Sequence, residues 1–94
     1  MGKIIHESDV EAAVIRGARN RGGIAYKFVS PGHSGVPDRL QLLPINNPVH
    51  RAIVAEYVRF VECKAPGKKL RPDQRNETEY LRSLGYCVVV VDSL

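Results

Sequence analysis

The sequence predicts an α/β sandwich with the element order αβββαβ: one helix, a three-stranded meander, and a helical crossover into a fourth strand. Three observations carry this reading. Ser8-Asp9-Val10-Glu11 is a capping-box pattern at the head of a run with helical periodicity. Residues 24–64 hold stretches rich in β-branched and aromatic residues, punctuated by Pro, Gly and Asn clusters. Pro72 and Gly85 bracket a second helical run that leads straight into an almost wholly apolar segment of strand length.

The first helix places Ser8 at the N-cap and Glu11 at N3, with Val10, Ala13, Val14 and Ala18 as its apolar positions, and stops at Gly22-Gly23. Residues 24–29 alternate as a first strand. The segment 30–37, with two glycines and two prolines, is a loop. A second strand follows over 38–43 and a turn over 44–51, where Asn46-Asn47-Pro48 stands. The stretch 52–64, rich in Val, Ile, Tyr and Phe, reads as the third and central strand. A basic connector over 65–71 precedes a helix that starts at Pro72, buries Thr78, Leu81 and Leu84, and ends at Gly85. The run 86–92 then has the pattern of a strand buried on both faces.

Ninety-four residues, 44% of them hydrophobic, suffice for one core and so for a single domain over 1–94. The longest apolar run, Cys87 to Val91, is far short of the ~20 residues of a membrane-spanning helix, and no signal-peptide segment stands at the N-terminus. Met1-Gly2-Lys3 opens like a myristoylation signal, but His6 stands where that signal has Ser or Thr. Cys63 and Cys87 lack CxxC spacing, which argues against a zinc cluster or disulfide framework and for a reducing, cytoplasmic setting. His6, His33 and His50 are scattered without metal-ligand spacing. Fourteen Lys and Arg against ten Asp and Glu give a net charge of +4, a lean that suits a polyanionic partner.

Two constellations can carry chemistry. Glu62 and Lys64 fall on one face of the third strand near its end, either as a surface salt bridge or as a paired carboxylate and ammonium in a site. Asp38 follows Pro37, whose fixed φ sets the chain direction just before the second strand; it is either a turn Asp or a projecting carboxylate. Taken together, Asp38 and Glu62 form a hard-oxygen pair suited to Mg²⁺, and the carbonyl of Cys63 could add a ligand.

Gly35-Val36-Pro37-Asp38, then Val61-Glu62-Cys63-Lys64-Ala65-Pro66, then Gln74 and a terminal apolar strand, resemble the VRR-NUC family of the PD-(D/E)XK nuclease superfamily. The resemblance spans nearly the whole chain. It implies a restriction-endonuclease-like core, a mixed four-stranded sheet flanked by helices. It also implies Asp38 and Glu62 as metal carboxylates, Lys64 as catalytic lysine, Glu11 as a helix carboxylate and Gln74 as the family's additional site residue. Stand-alone members are often phage-encoded, which implies action in a host cell, and resemble Holliday-junction resolvases in fold and dimerisation.

Glu11 falls between Ile15 and Ala18 at about 100° per residue, inside an apolar arc where a capping residue need not lie, although Ser8 and Glu11 satisfy a capping box completely. Gln74 lies on the side of Thr78 and Leu81, where it could satisfy a buried polar group or reach the site; Arg75 and Glu79 on the polar side are spaced for an i,i+4 pair. Lys68, Lys69, Arg71 and Arg75 surround the connector, and Lys27, His33 and Arg39 surround the loop before Asp38. Either group is a solvated basic surface or a set of phosphate contacts. Nothing resembles a helix-turn-helix or zinc finger, so DNA would be recognised by shape.

The expected activity is Mg²⁺- or Mn²⁺-dependent hydrolysis of DNA phosphodiesters by a homodimer acting on branched DNA such as Holliday junctions, in DNA repair or a related process, with no small-molecule cofactor and no membrane. A non-catalytic DNA-binding or assembly module on the same fold and a sequence-specific restriction-type nuclease are the alternatives.

Overall fold

The computed structural model describes Gly2 and residues 4–94; Met1 and Lys3, part of the stretch weighed for lipidation, lie outside the described residues. Seven elements follow in the order αββαβαβ: α1 (Glu7–Asn20), β1 (Ile24–Lys27), β2 (Arg39–Leu42), α2 (Pro48–Tyr57), β3 (Arg59–Cys63), α3 (Pro72–Leu84) and β4 (Cys87–Val91). The chain divides into two units, the first ending at Pro44 and the second running from Ile45 to Leu94.

In the first unit, the cap of α1 lies two residues before the expected Ser8 cap. His6 is the N-cap, and its backbone N–H donates to the Asp9 carboxylate at 2.9 Å. Both His6–Asp9 and Ser8–Glu11 have capping-box spacing; the earlier start also brings Glu7 and Asp9 into the first turn, where the helix dipole favours negative charge. Ala18 is buried and Glu11, Val14 and Ile15 are partly buried, whereas Val10 and Ala13, expected inside, are exposed. The helix closes where Gly23 N–H donates to Ala18 O at 2.9 Å. A Cβ at Gly23 would collide with the carbonyl oxygen of Leu42, so glycine lets the chain pass close against β2.

β1 and β2 pair antiparallel, Ile24 opposite Leu42 and Lys27 opposite Arg39. One further bond, Phe28 N–H to Asp38 O at 2.8 Å, extends the ladder to the base of the loop. β1 therefore ends at Lys27 rather than at residue 29. Ala25 and Leu42 are buried, and α1 packs on β1.

The second unit holds the main departure from expectation. The predicted strand over 52–64 is instead α2 followed by β3. Asn47 caps the helix, its Oδ1 accepting from Val49 N–H at 2.8 Å, and Pro48 occupies the first turn, where a missing N–H costs nothing. The Asn-Pro pair thus opens a helix rather than a reverse turn. Val49, Ile53 and Val54 are only mildly unfavourable in a helix, a penalty that a good cap offsets. Val58 is extended and returns the chain to β geometry.

β3 and β4 pair parallel, Arg59 opposite Cys87 through Cys63 opposite Val91, connected by α3. α3 has its expected bounds: Pro72 is in the first turn, Thr78, Leu81 and Leu84 are buried, and Gly85 at φ +105° is the left-handed cap. A Cβ on Gly85 would sit 2.7 Å from the Ile45 carbonyl oxygen, a backbone atom held in place by the Ile45 N–H bond to Leu84 O at 2.8 Å. Val88 completes this core, with Phe60 edge-on to Tyr86 at 6.2 Å. β4 is not buried on both faces, because Val90 and Val91 are 40% and 44% exposed. Among the described residues strand pairing is confined to these two ladders, so in place of one four-stranded sheet there is a two-stranded antiparallel sheet in the first unit and a two-stranded parallel sheet in the second.

Candidate functional site

In the first unit the predicted residues converge. Asp38 immediately precedes β2, with its backbone carbonyl fixed by Phe28 N–H and its carboxylate exposed. It lines a cavity of about 320 Å³ together with Glu7, Glu11, Lys27, Ser30 and His33. Two expected metal residues and two expected phosphate contacts therefore share one concavity. Because Asp9 performs the capping, Glu11 is released from that role, and its Oε1 accepts from Arg39 Nε at 3.1 Å. The side chains are 34% and 22% exposed, so this ion pair is partly shielded from solvent. Glu7 joins the cavity one turn before Glu11; its i,i+4 spacing was the available sequence signal.

In the second unit Glu62 sits on the half-buried face of β3, the face it shares with Phe60. Gln74 Nε2 donates to Glu62 Oε1 at 2.9 Å, while Gln74 Oε1 accepts from Arg71 N–H at 3.0 Å. One amide thus closes the capping box of α3 and bonds the half-buried β3 carboxylate. A cavity of about 430 Å³ lies there, lined by Phe60, Glu62, Gln74, Thr78, Leu81 and Val88 among others.

Lys64 lies just beyond β3. Its backbone N–H donates to Val91 O at 2.9 Å, and the residue lines a different cavity, of about 230 Å³, with Cys63, Pro66, Val91 and Leu94. Among the described residues Lys64 makes no ion pair, so the simple Glu62–Lys64 salt bridge is not formed. The N–H of Lys64 faces β4, and across a trans peptide the carbonyl of Cys63 therefore points away from β4, outside the β3–β4 ladder. Both cysteine thiols are free.

Lys68, Lys69 and Arg75 are exposed. Arg71 Nε donates to Asp73 Oδ1 at 3.2 Å, and this hydrogen bond, aided by the Gln74 backbone N–H, holds the Asp73 carboxyl below the usual range. Arg75 and Glu79 do not close their i,i+4 ion pair among the described residues.

Within the first unit Glu7, Glu11 and Asp38 bring carboxylates to one cavity, the donor type that suits a hard divalent cation. Mg²⁺ commonly takes only one or two carboxylates, completing its shell with water and substrate phosphate. Among the described residues no three His, Cys, Asp or Glu side chains gather as a ready-made metal cluster. No helix among them is long and apolar enough to cross a membrane.

The VRR-NUC domain model matches residues 23–94. That span contains Asp38, Glu62, Lys64 and Gln74, runs across both units, and begins after α1, leaving Glu11 outside it. The chain is also 46% identical, over 91 residues, to "Putative nuclease p44" of Acyrthosiphon pisum secondary endosymbiont phage 1, an alignment covering 97% of this chain and 87% of that protein.

Proposed function

This chain belongs to the VRR-NUC family, and from that premise we propose that it is a divalent-metal-dependent DNA endonuclease, a single nuclease domain built from both units. The observation that carries the reading furthest is the concavity shared by Asp38, Glu11, Lys27 and His33, in which carboxylates suited to a cation stand among positive groups suited to phosphate. Without cations around them, carboxylates would repel a phosphodiester.

In this reading Asp38 and Glu62 hold Mg²⁺ or Mn²⁺, with Glu11 and the Cys63 carbonyl as further oxygen donors. When bound, the metal polarises a phosphoryl oxygen and lowers the pKa of bound water. Gln74 fixes the rotamer of Glu62. Lys64 orients the attacking water or offsets the charge that develops on the phosphorane-like transition state. Lys27 and His33 before Asp38, and Lys68, Lys69, Arg71 and Arg75 after Lys64, contact the DNA backbone, and recognition is of shape. Branched DNA such as a Holliday junction is the preferred substrate, and two copies of the chain act together, since opposed strands need two sites.

The test is cleavage of labelled junction, flap, duplex and single-stranded DNA with Mg²⁺, Mn²⁺ or EDTA, comparing the protein with Asp38→Ala, Glu62→Ala and Lys64→Ala. Cleavage should require metal and be abolished by either carboxylate substitution. Cleavage in EDTA, or full activity of Asp38→Ala, would overturn the mechanism. Binding without cleavage under every metal would identify a non-catalytic module, and cutting confined to one duplex sequence a restriction-type enzyme. Light scattering with and without junction DNA should give a dimer; a monomer in both conditions would refute paired action.

A further inference from the structure

We propose that Arg39 is a positioning residue for the metal site rather than a DNA contact, acting through Glu11; this rests on the nuclease reading above. The sequence alone places Arg39 among the candidate phosphate contacts because, with Lys27 and His33, it flanks the loop before Asp38. The structure commits its guanidinium elsewhere: Arg39 Nε donates to Glu11 Oε1 at 3.1 Å, across 28 residues of sequence. Arg39 is the more shielded member of the pair, with only 22% of its side chain exposed, whereas Lys27 and His33 are both exposed. A phosphate contact belongs on an accessible cation, and Arg39 is the least accessible of the three.

The position of Arg39 in the chain gives the pairing its consequence. It is the first residue of β2, directly after Asp38, and it stands opposite Lys27 in the β1–β2 ladder. The backbone at this point is fixed by the Phe28 N–H bond to Asp38 O. Arg39 thus ties α1, through Glu11, to the same stretch of backbone that presents Asp38, and Glu11 and Asp38 line one cavity. With one carboxylate oxygen of Glu11 held by the guanidinium, the rotamer is set and the charge-assisted bond limits its wandering. Partners of this kind around metal ligands commonly contribute a factor of about 10–100 in metal affinity.

The experiment uses the full chain and the variants Arg39→Gln, Arg39→Lys, Glu11→Gln and the Glu11→Gln/Arg39→Gln pair. Mn²⁺ binding is measured by calorimetric titration, DNA binding in EDTA by fluorescence anisotropy, and folding by circular dichroism. Arg39→Gln should weaken Mn²⁺ binding by about 10-fold or more while DNA binding in EDTA stays within about twofold of the unaltered protein. Arg39→Lys, which keeps the charge without the planar fork, should recover part of the loss. The double variant should bind Mn²⁺ no more weakly than Glu11→Gln alone, since both changes break one interaction. Unaltered Mn²⁺ affinity in both Arg39 variants, or additive losses in the double variant, would overturn the proposal, as would a fall in DNA binding in EDTA as the dominant effect. Should Arg39→Gln fail to fold, Arg39→Lys against Glu11→Gln decides by the same criteria. Failure of the unaltered protein to bind Mn²⁺ or cleave DNA would sink the nuclease reading together with this one, whereas normal binding and cleavage with indifferent Arg39 variants would sink this one alone.

Discussion

Gln74 shows how much one side chain can be asked to do. Its carbonyl oxygen serves the first turn of α3 and its amino group serves Glu62. The two functions separate by substitution. Glutamate at this position keeps an acceptor for the Arg71 N–H, and is a favoured capping-box residue, but it cannot donate to Glu62. Gln74→Glu should therefore melt no lower than Gln74→Ala, which loses both bonds at about 1 kcal/mol each. Its cleavage rate should nonetheless fall by about 10-fold or more, the scale on which partners of metal ligands act. Thermal melts and single-turnover rates on the same preparations check both halves. At this scale the sequence was informative about identity and poor about pairing. Asp38, Glu11 and His33 could be picked out because each follows a local signal, a Pro-fixed backbone, a position in a helical arc or a glycine-flanked loop. The Glu11–Arg39 bond could not, because nothing local links residues so far apart.

At the scale of elements, the ends of α3 were legible because Pro72 and Gly85 act through backbone geometry that tertiary context does not override. Alanine at position 85 would enter the left-handed region at a cost of about 1–2 kcal/mol and would also press its Cβ on the Ile45 carbonyl. For a domain this small, each kcal/mol lost lowers Tm by about 4–8 °C, so Gly85→Ala should melt at least that much lower by circular dichroism. Leu81→Ala, emptying a core position, should cost about 2–5 kcal/mol in urea titration. α2 was hidden for the opposite reason. Its stretch is rich in β-branched residues, none of its residues is buried, and so the apolar periodicity that reveals a helix was weak. Only the Asn47-Pro48 cap marked its start, and that pair also suits a turn. For α1, two overlapping boxes of equal spacing were available, and the pattern alone could not rank them.

For the whole molecule, the net charge of +4 understates the local contrast, because carboxylates and cations line the same concavity in the first unit while Lys68, Lys69 and Arg75 stand exposed in the second. DNA binding in EDTA should accordingly weaken as salt rises, with a log–log slope of about −0.9 for each phosphate neutralised on duplex DNA. Replacing Lys68 and Lys69 together by Ala should reduce that slope by up to about 2, read by anisotropy across a salt series. A flat response would remove the backbone contacts from the proposal. The α/β class was legible from the sequence, whereas the number of elements was not, since a hidden helix turned one long strand into two elements.

α2 also sets how evenly the chain resists opening. A helix of ten residues is marginal by itself in water, and this one buries none of its side chains. What holds it is the Asn47 cap, with Arg51 donating to Ile45 O at 2.5 Å and Arg59 to Ala55 O at 3.1 Å at its two ends. The amides of α2 should consequently exchange with deuterium well before those of α3, and a protease should nick residues 48–57 first, leaving the parallel ladder and its covering helix as the last part of the second unit to open.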